Sequence, residues 1–229
     1  MIKPWRIKSW VIPKASADFV CQMEAVLAVY QRAHNPKHPV VNLDESLRQL
    51  VSQVRHSFTD RKGIEHQDYE YCREGVAEIY MIVEALAGRR EVLIEPNHNR
   101  FTYAKVIAHI VEQMYPEAEK ITLVEDNLSA HKLSALYEVF EPARARQLIE
   151  KLEVVRTPAH GSWLNIAECE LSVLTRQGLK QRTPSVEVLK KDVKAWYEQR
   201  NQKQIGVEWQ FTTADARIKL KNLYPSVII

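Results

Sequence analysis

A short apolar run that ends in two acids is the feature that most constrains this fold. Ile121 to Val124 form the run, Glu125 and Asp126 follow it, and an Asn-Leu-Ser-Ala-His turn occupies 127–131. A short apolar run before a turn that can cap a helix is typical of a buried strand in an alternating α/β chain. Ligands in such folds bind at the carboxyl ends of the strands. We therefore expect a functional site at the end of this strand.

A second run with the same ending lies upstream. The sequence VVNLDES, at 40–46, is apolar and β-rich and carries Asp44 and Glu45 at its end. If this strand lies parallel to the first, the carboxylates of Asp44 and Asp126 lie side by side. Neighbouring residues of a strand face opposite sides, so only one acid of each adjacent pair is expected to reach the site. Glu45 and Glu125 are the rival candidates.

A third acid lies in a predicted helix. The sequence HGSWLNIAECEL, at 160–171, places Asn165 one turn before Glu168, on the same helix face. Carboxylates are the ligands that hard divalent cations prefer. Two such ions, about 3.5–4 Å apart, neutralise charge on the attacking and leaving oxygens in phosphoryl transfer. We therefore predict that Asp44, Asp126 and Glu168 converge to hold metal for cutting and joining DNA.

The order of the predicted elements indicates a mixed sheet with helices on its faces, and hence an α/β fold. Residues 55–75 are polar and are predicted to form an irregular loop. The predicted strands and helices are a helix over 16–32, a strand at 39–46 with 47–54 as its hairpin partner, a hairpin of 75–86 and 90–96, a helix over 101–114, a strand at 120–126, two helical pieces over 132–151 split at Pro142, a strand at 152–158, and helices over 163–174, from the Thr183 cap onward, and from Thr212 or Thr213 to about Leu223.

The bulk composition argues against several classes of protein. No apolar run approaches the roughly 20 residues that a membrane span needs. The three cysteines show no CxxC spacing, so neither a disulfide framework nor a zinc site is predicted. We expect reduced, mostly buried thiols and a cytoplasmic protein. The 229 residues correspond to one large domain, or to one domain with a small appendage.

Basic residues cluster between Arg176 and Lys194, where six of them stand against Glu187 and Asp192, although the formal net charge is only +3. Such stripes can follow the phosphates of DNA and can equally form a solvated helix face. His131 and His160 are predicted to position the site or to contact DNA, and Trp163 either stacks on a base or packs its helix onto the sheet. The predicted DNA-contacting residues are Asn127, His131, His160, Trp163, Asn165, Arg176, Lys180 and Arg182.

Four segments of the chain resemble one known family. They are VVNLDES, ITLVEDNLSAH, TPAHGSWLNIAECELSVL and WQFTTADARIKLKNLYP. They resemble the catalytic domain of bacterial insertion-sequence transposases of the IS-six-thirty group, in the mariner superfamily, which are DDE superfamily endonucleases. The resemblance covers about 3–226, and HGSWLNIAE is its most specific part. It implies a ribonuclease-H-like fold in which Asp44, Asp126 and Glu168 are the catalytic residues and hold two Mg²⁺ or Mn²⁺ ions.

The resemblance also implies partners and a domain organisation. The partners are double-stranded DNA, as transposon inverted-repeat ends and as target DNA, and a second copy of the chain in a homodimeric synaptic complex. The implied location is the bacterial cytoplasm, at the nucleoid, with no membrane association. The implied regions are a linker and leading helix at 1–35, a ribonuclease-H-like DDE catalytic core at 36–180 and a C-terminal helical extension at 181–229.

The sequence departs from the family pattern at three points. Ser46 and Leu47 stand where Lys-Pro is common, Glu125 stands where an apolar residue is usual, and the helix-turn-helix region expected upstream is absent. An alternative is therefore a catalytically idle, truncated transposase that regulates by binding DNA or a full-length partner. A third possibility, another ribonuclease-H-like nuclease such as a junction resolvase, accounts for the fold but not for HGSWLNIAE.

Overall fold

A five-stranded mixed sheet forms the centre of the computed structural model, which describes residues 16–55, 57–66 and 68–226. The expected linker at 1–13 lies outside the described residues. The sheet strands are β1 Val40–Gln53, β4 Tyr71–Glu84, β5 Arg89–Glu95, β6 Ile121–Glu125 and β7 Leu152–Arg156, and a separate short ribbon pairs β2 Phe58–Thr59 with β3 Glu65–His66.

The α-helices lie between and after these strands, in the order that the sequence predicts. A π-helical turn, Ile110–Met114, extends the second helix, and 3₁₀ turns lie at Leu133–Ala135, Ser162–Leu164 and Lys221–Leu223. No helix in the described ranges is both long and apolar enough to cross a membrane. The α-helices are α1 Ala17–Tyr30, α2 Arg100–His109, α3 Leu136–Val139, α4 Pro142–Glu150, α5 Ile166–Gln177, α6 Val186–Gln202 and α7 Thr213–Lys219.

The sheet has the order β5-β4-β1-β6-β7. The pairs β5–β4 and β4–β1 are antiparallel, whereas β1–β6 and β6–β7 are parallel. The predicted mixed sheet is therefore confirmed. The two parallel pairs bring the carboxyl ends of β6 and β7 to one edge, and β1 passes this edge and continues to Gln53.

Three local predictions were wrong. Residues 47–54 do not turn back on 39–46, because β1 continues without a turn and its antiparallel partner is β4. The segment 55–75 contains the β2–β3 ribbon and the start of β4. Ser185, not Thr183, caps α6, and the hydroxyl of Ser185 accepts a hydrogen bond from the amide of Val188.

Strand alternation divides the core into two layers, one on each face of the sheet. In β4, Met81 and Val83 face the layer that contains α1, α5 and α6. Their neighbours Tyr80 and Ile82 face the layer that contains α2, α3 and α4. All three cysteines are exposed, so the predicted burial of the thiols was wrong.

A buried ion cluster fastens α5 to its neighbours. Glu170 of α5 lies 3.1 Å from the guanidinium of Arg90 in β5 and 2.7 Å from that of Arg200 in α6. Arg90 and Glu170 are both nearly inaccessible to solvent, so each charge depends on its partners. The cluster fixes the helix that carries Glu168.

Candidate active site

Parallel pairing of β1 with β6 aligns the first two predicted acids. Asn42 of β1 pairs with Val124 of β6. Asp44 and Asp126 each lie two residues beyond this pair, so both fall on the same face. Asp126 follows the carboxyl end of β6, whereas Asp44 lies inside β1, which continues to Gln53, so the expectation that Asp44 closes its strand was wrong. The structure therefore brings these two carboxylates to neighbouring positions, as the sequence predicted.

Asn165 attaches the start of α5 to β1. Its carbonyl oxygen accepts a hydrogen bond from the amide of Ala167, 3.1 Å away, and so caps the helix. Its amide nitrogen donates to the carbonyl oxygen of Leu43 at 2.9 Å and to a carboxylate oxygen of Asp44 at 3.3 Å. Glu168, in the first turn of α5, is thereby held close to the strand ends.

The three predicted acids line one open cavity of about 550 Å³. Ser162, Ser172, Thr175 and Arg176 contribute polar atoms to the same wall. Within the described ranges, no group of three His, Cys, Asp or Glu side chains is arranged tightly enough to hold one ion. The structure therefore brings the acids together around a cavity, while their roles as metal ligands stay a prediction.

The carboxylates influence each other electrostatically. Burial raises the pKa of Asp44 to about 7, and the nearby charges of Asp126 and Glu168 add to the rise. A cation between these groups would relieve that repulsion, and oxygen-only donors suit a hard divalent ion. The donor set therefore fits Mg²⁺ or Mn²⁺.

His131 lies between two carboxylates. Its Nδ1 is 2.8 Å from Oδ1 of Asp126, and its Nε2 is 3.2 Å from Oε2 of Glu45. Burial alone would lower the pKa of His131, but the contacts with Asp126 and Glu45 raise it to about 10. Burial would likewise raise the pKa of Asp126, but the hydrogen bond and charge of His131, together with the amide of Leu128 and the charge of Arg156, outweigh that effect and lower this pKa. The imidazolium therefore keeps Asp126 ionised and fixes its orientation.

The rival acids occupy different surroundings. Glu125 is fully buried, accepts a 2.9 Å hydrogen bond from the hydroxyl of Tyr103 and lies 3.4 Å from the guanidinium of Arg156. Burial raises its pKa. Glu125 thus packs away from the cavity, in agreement with strand alternation. Glu45, by contrast, lines the cavity as well as pairing with His131.

Six of the eight predicted DNA-contacting residues have side chains that reach the surface or a cavity. Asn127 and His160 are exposed beside the site, and Arg176 lines the carboxylate cavity. Trp163 is 42% exposed and also makes an edge contact with Phe211, so it both packs and presents a surface. Lys180 and Arg182 lie in a second cavity.

Two residues of that predicted set need correction. His131 and Asn165 are buried, with 2% and 0% exposure, and their polar atoms are bonded within the protein. They position the carboxylates instead of facing DNA. Sequence reasoning also missed the pairing of His131 with Glu45, because no local pattern reports a contact between residues so far apart in the chain.

The chain is similar to known proteins in sequence and in fold. The sequence matches the family described as DDE superfamily endonuclease over residues 39–190. No protein of curated function matches. The fold is similar to three solved Mos1 structures of 17–18% identity. The Mos1 transposase paired-end complex with left transposon end is 18% identical, with a TM-score of 0.56, and the match covers 90% of this chain and 63% of that chain. The Mos1 mariner paired end complex with Mn is 17% identical, with a TM-score of 0.55, and the match covers 97% of this chain and 67% of that chain. The Mos1 strand transfer complex is 17% identical, with a TM-score of 0.57, and the match covers 97% of this chain and 66% of that chain.

These similarities establish the fold. The five-stranded mixed sheet flanked by helices is that of ribonuclease-H-like transposase catalytic cores. The chain spans 63% of the length of the first of these relatives.

Proposed function

Because this chain belongs to the DDE superfamily endonuclease family, we propose that it cleaves DNA at transposon ends and transfers the cut strand into target DNA. We assign it to the IS-six-thirty group of bacterial insertion-sequence transposases, acting in the cytoplasm at the nucleoid. The observation that carries the proposal is the convergence of Asp44, Asp126 and Glu168 on one cavity, where β6 ends beside the parallel strand β1.

Asp44 would hold both of two Mg²⁺ or Mn²⁺ ions, Asp126 the first and Glu168 the second. When bound, the ions supply Lewis-acid stabilisation of the charge on the attacking and leaving oxygens. Two of the similar Mos1 structures are paired end complexes with Mn and with Mg, which supports this choice of metal.

The protein's own residues hold this arrangement in place. Asn165 ties β1 to the start of α5 through Leu43 and Asp44, so the carboxylates of strand and helix move together. His131 contacts the carboxylate of Asp126 through Nδ1 and fixes its orientation. Arg176, on the cavity wall, is placed to neutralise a phosphate of the bound DNA.

The chemistry consists of two phosphoryl transfers at the same site. In the first, the oxygen of water bonds to the phosphorus of a phosphodiester at the transposon end, and the bond to the 3′ oxygen breaks to leave a 3′-hydroxyl. In the second, that hydroxyl attacks a phosphodiester of target DNA and displaces its 3′ oxygen. In each transfer the attacking oxygen loses a proton and the departing 3′ oxygen takes one up, so the second transfer releases no net proton. A homodimer would bring two ends together in a synaptic complex.

The experiment is a supercoiled-plasmid nicking assay with Mn²⁺ that compares the chain with its Asp126→Asn and Glu125→Gln variants. Each change replaces one carboxylate by an amide at adjacent positions, but only Asp126 lines the cavity. We expect Asp126→Asn to abolish nicking and Glu125→Gln to retain it. Equal nicking by Asp126→Asn and the unaltered chain would contradict the assignment. Absence of nicking by the unaltered chain would favour an idle fragment that regulates by binding DNA.

A further inference from the structure

A second cavity, also of about 550 Å³, lies beside the carboxylate cavity. We call it the basic groove and define it by six of its lining residues: Leu47, Arg48, Tyr71, Arg73, Lys180 and Arg182. Four of these are cations, and no carboxylate lines the groove. Such a concentration of one charge sign is far from the near balance of the whole chain, so the groove has a distinct chemical character.

The groove forms where β1 extends beyond its pairing with β6. In this sheet β6 pairs only with Val40–Asn42, and the rest of that edge of β1 is free to accept another segment. The loop after α5 fills this position, because the amide of Val51 donates to the carbonyl of Thr183 at 2.8 Å. Arg48 donates to the carbonyl of Leu179 at 3.0 Å. These bonds fix the two walls of the groove relative to each other.

The positive charges of the groove are uncompensated. The side chains of Arg48 and Arg182 donate to neutral backbone carbonyls. Arg48 donates to those of Leu179 and Gln181, and Arg182 donates to that of Glu70. Among the described residues, neither these two nor Arg73 and Lys180 form an ion pair with a carboxylate. Four like charges held together in this way favour an anionic polymer as the occupant.

An aromatic ring lies among these charges. Tyr71 is 50% exposed, and the guanidinium of Arg182 lies 5.7 Å from its ring centroid. Leu47 exposes a further apolar surface in the same groove. Cations that follow a backbone, combined with an exposed ring, are the features that bind single-stranded nucleic acid, because unpaired bases can stack on the ring. Bases inside a duplex are already stacked and cannot reach it.

We infer that the basic groove binds a single-stranded stretch of DNA that flanks the phosphodiester held in the carboxylate cavity; this inference rests on the proposed function. The two cavities share no lining residue, but they are lined by consecutive stretches of β1, because Ser46 lines one and Leu47 the other. Asp44 and Arg48 are separated by roughly 13 Å along β1. At about 3.4 Å per nucleotide of a stacked strand, the groove begins about four nucleotides from the carboxylates.

The test is DNA binding by the full chain in EDTA, measured by fluorescence anisotropy with a labelled single strand and with a duplex of the same sequence. Tyr71→Ala should weaken single-strand binding about fivefold or more and leave duplex binding nearly unchanged. Tyr71→Trp should retain binding, which separates stacking from a folding defect. Tyr137→Ala, at a similarly exposed tyrosine of α3, is the matched control.

The contribution of the groove's positive charges is tested by the salt dependence of single-strand binding. Lys180→Gln should reduce the slope of log affinity against log salt by about 0.7, as expected for one lost phosphate contact on a single strand. Lys105→Gln, on the exposed surface of α2, should leave the slope unchanged. Equal weakening of single-strand and duplex binding by Tyr71→Ala, or no change in any groove variant, would overturn the inference.

The outcome is distinguishable from a failure of the proposed function. Binding in EDTA does not depend on metal-supported chemistry, so the Tyr71→Ala and Lys180→Gln comparisons can be made whether or not the chain nicks DNA. Nicking by Asp126→Asn would refute the proposed function without changing the Tyr71 result. Normal nicking by the unaltered chain, together with unchanged binding by Tyr71→Ala and Lys180→Gln, would refute the groove alone.

Discussion

Nδ1 of the buried His131 lies 2.8 Å from a carboxylate oxygen of Asp126. The opposite nitrogen faces Glu45, so the ring is oriented from both sides. Contacts of this kind behind a metal-binding carboxylate set its direction and basicity. The relationship gives His131 a positioning role that can be tested separately from the ligands.

We expect His131→Gln to weaken metal-supported nicking about 10- to 100-fold. Glutamine can still donate a hydrogen bond, but it lacks the positive charge that holds Asp126 and Glu45 together. The Mn²⁺ concentration for half-maximal nicking should therefore rise. His38→Gln, at an exposed histidine, should behave like the unaltered chain, and an unchanged Mn²⁺ dependence in His131→Gln would refute the positioning role.

The attachment of α5 to β1 leads to a second prediction. Asn165→Ala removes a helix cap and the bonds to Leu43 and Asp44, so it should lower the free energy of unfolding by about 1–2 kcal/mol. Nicking should fall as well, because Glu168 and Asp44 lose their common support. Denaturant unfolding and the plasmid assay measure the two effects.

The matched control for that prediction is Ser185→Ala, which removes the corresponding cap from α6. It should cost about 1 kcal/mol of stability and leave nicking intact, since α6 contributes no residue to the cavity wall. A parallel loss of activity in both variants would mean that Asn165 acts only through stability.

The neighbouring positions of Asp44 and Asp126 could be predicted from sequence because each acid follows a local signal. The apolar runs before Asp44 and Asp126 mark buried strands, and β1–β6 pairing then follows from the α/β pattern. The length of β1 could not be predicted, since a continued strand and a hairpin share the same alternation until a partner is chosen. In the structure that partner is β4.

Contacts that depend on tertiary packing were also beyond sequence reasoning. Arg90, Glu170 and Arg200 come from three elements, and each looks like an ordinary surface charge in its own segment. The resemblance identified Glu168 as the functional acid, but only the structure shows that Glu170 holds the same helix in place. Burial, which depends on the whole fold, determines the difference between the two.

The buried ion cluster gives a third prediction. Arg90→Met leaves Glu170 buried with Arg200 as its remaining partner, and it should lower the free energy of unfolding by about 3–5 kcal/mol. Arg146→Met removes an exposed pair with Glu150, four residues away on α4, and should change stability by about 0.5 kcal/mol or less. Urea unfolding of both variants tests the comparison, and similar small losses would contradict the assigned role of the cluster.

A fourth prediction concerns acid stability and the contact between Arg32, just after α1, and Glu153 of β7. The guanidinium of Arg32 lies 2.9 Å from the carboxylate of Glu153. The hydroxyl of Thr122 donates a 2.8 Å hydrogen bond to the same carboxylate. The hydrogen bonds from Arg32 and Thr122 lower the pKa of Glu153 to about 2. A lowered carboxyl pKa stabilises the fold above the usual pKa of 4.5, and this stability is lost as the pH falls towards 2.

Glu153→Gln should therefore reduce the free energy of unfolding by about 1 kcal/mol at neutral pH, a value that allows for solvent screening of a 42% exposed carboxylate. The difference from the unaltered chain should shrink as the pH falls from about 4.5 to about 2, because protonation then removes the same charge from Glu153. Glu141→Gln, at an exposed acid with no ion pair in the described part of the chain, is the control and should show no such trend. Urea midpoints across this pH range measure the effect, and a constant difference between Glu153→Gln and the unaltered chain would show that the Arg32 contact contributes through packing instead of charge.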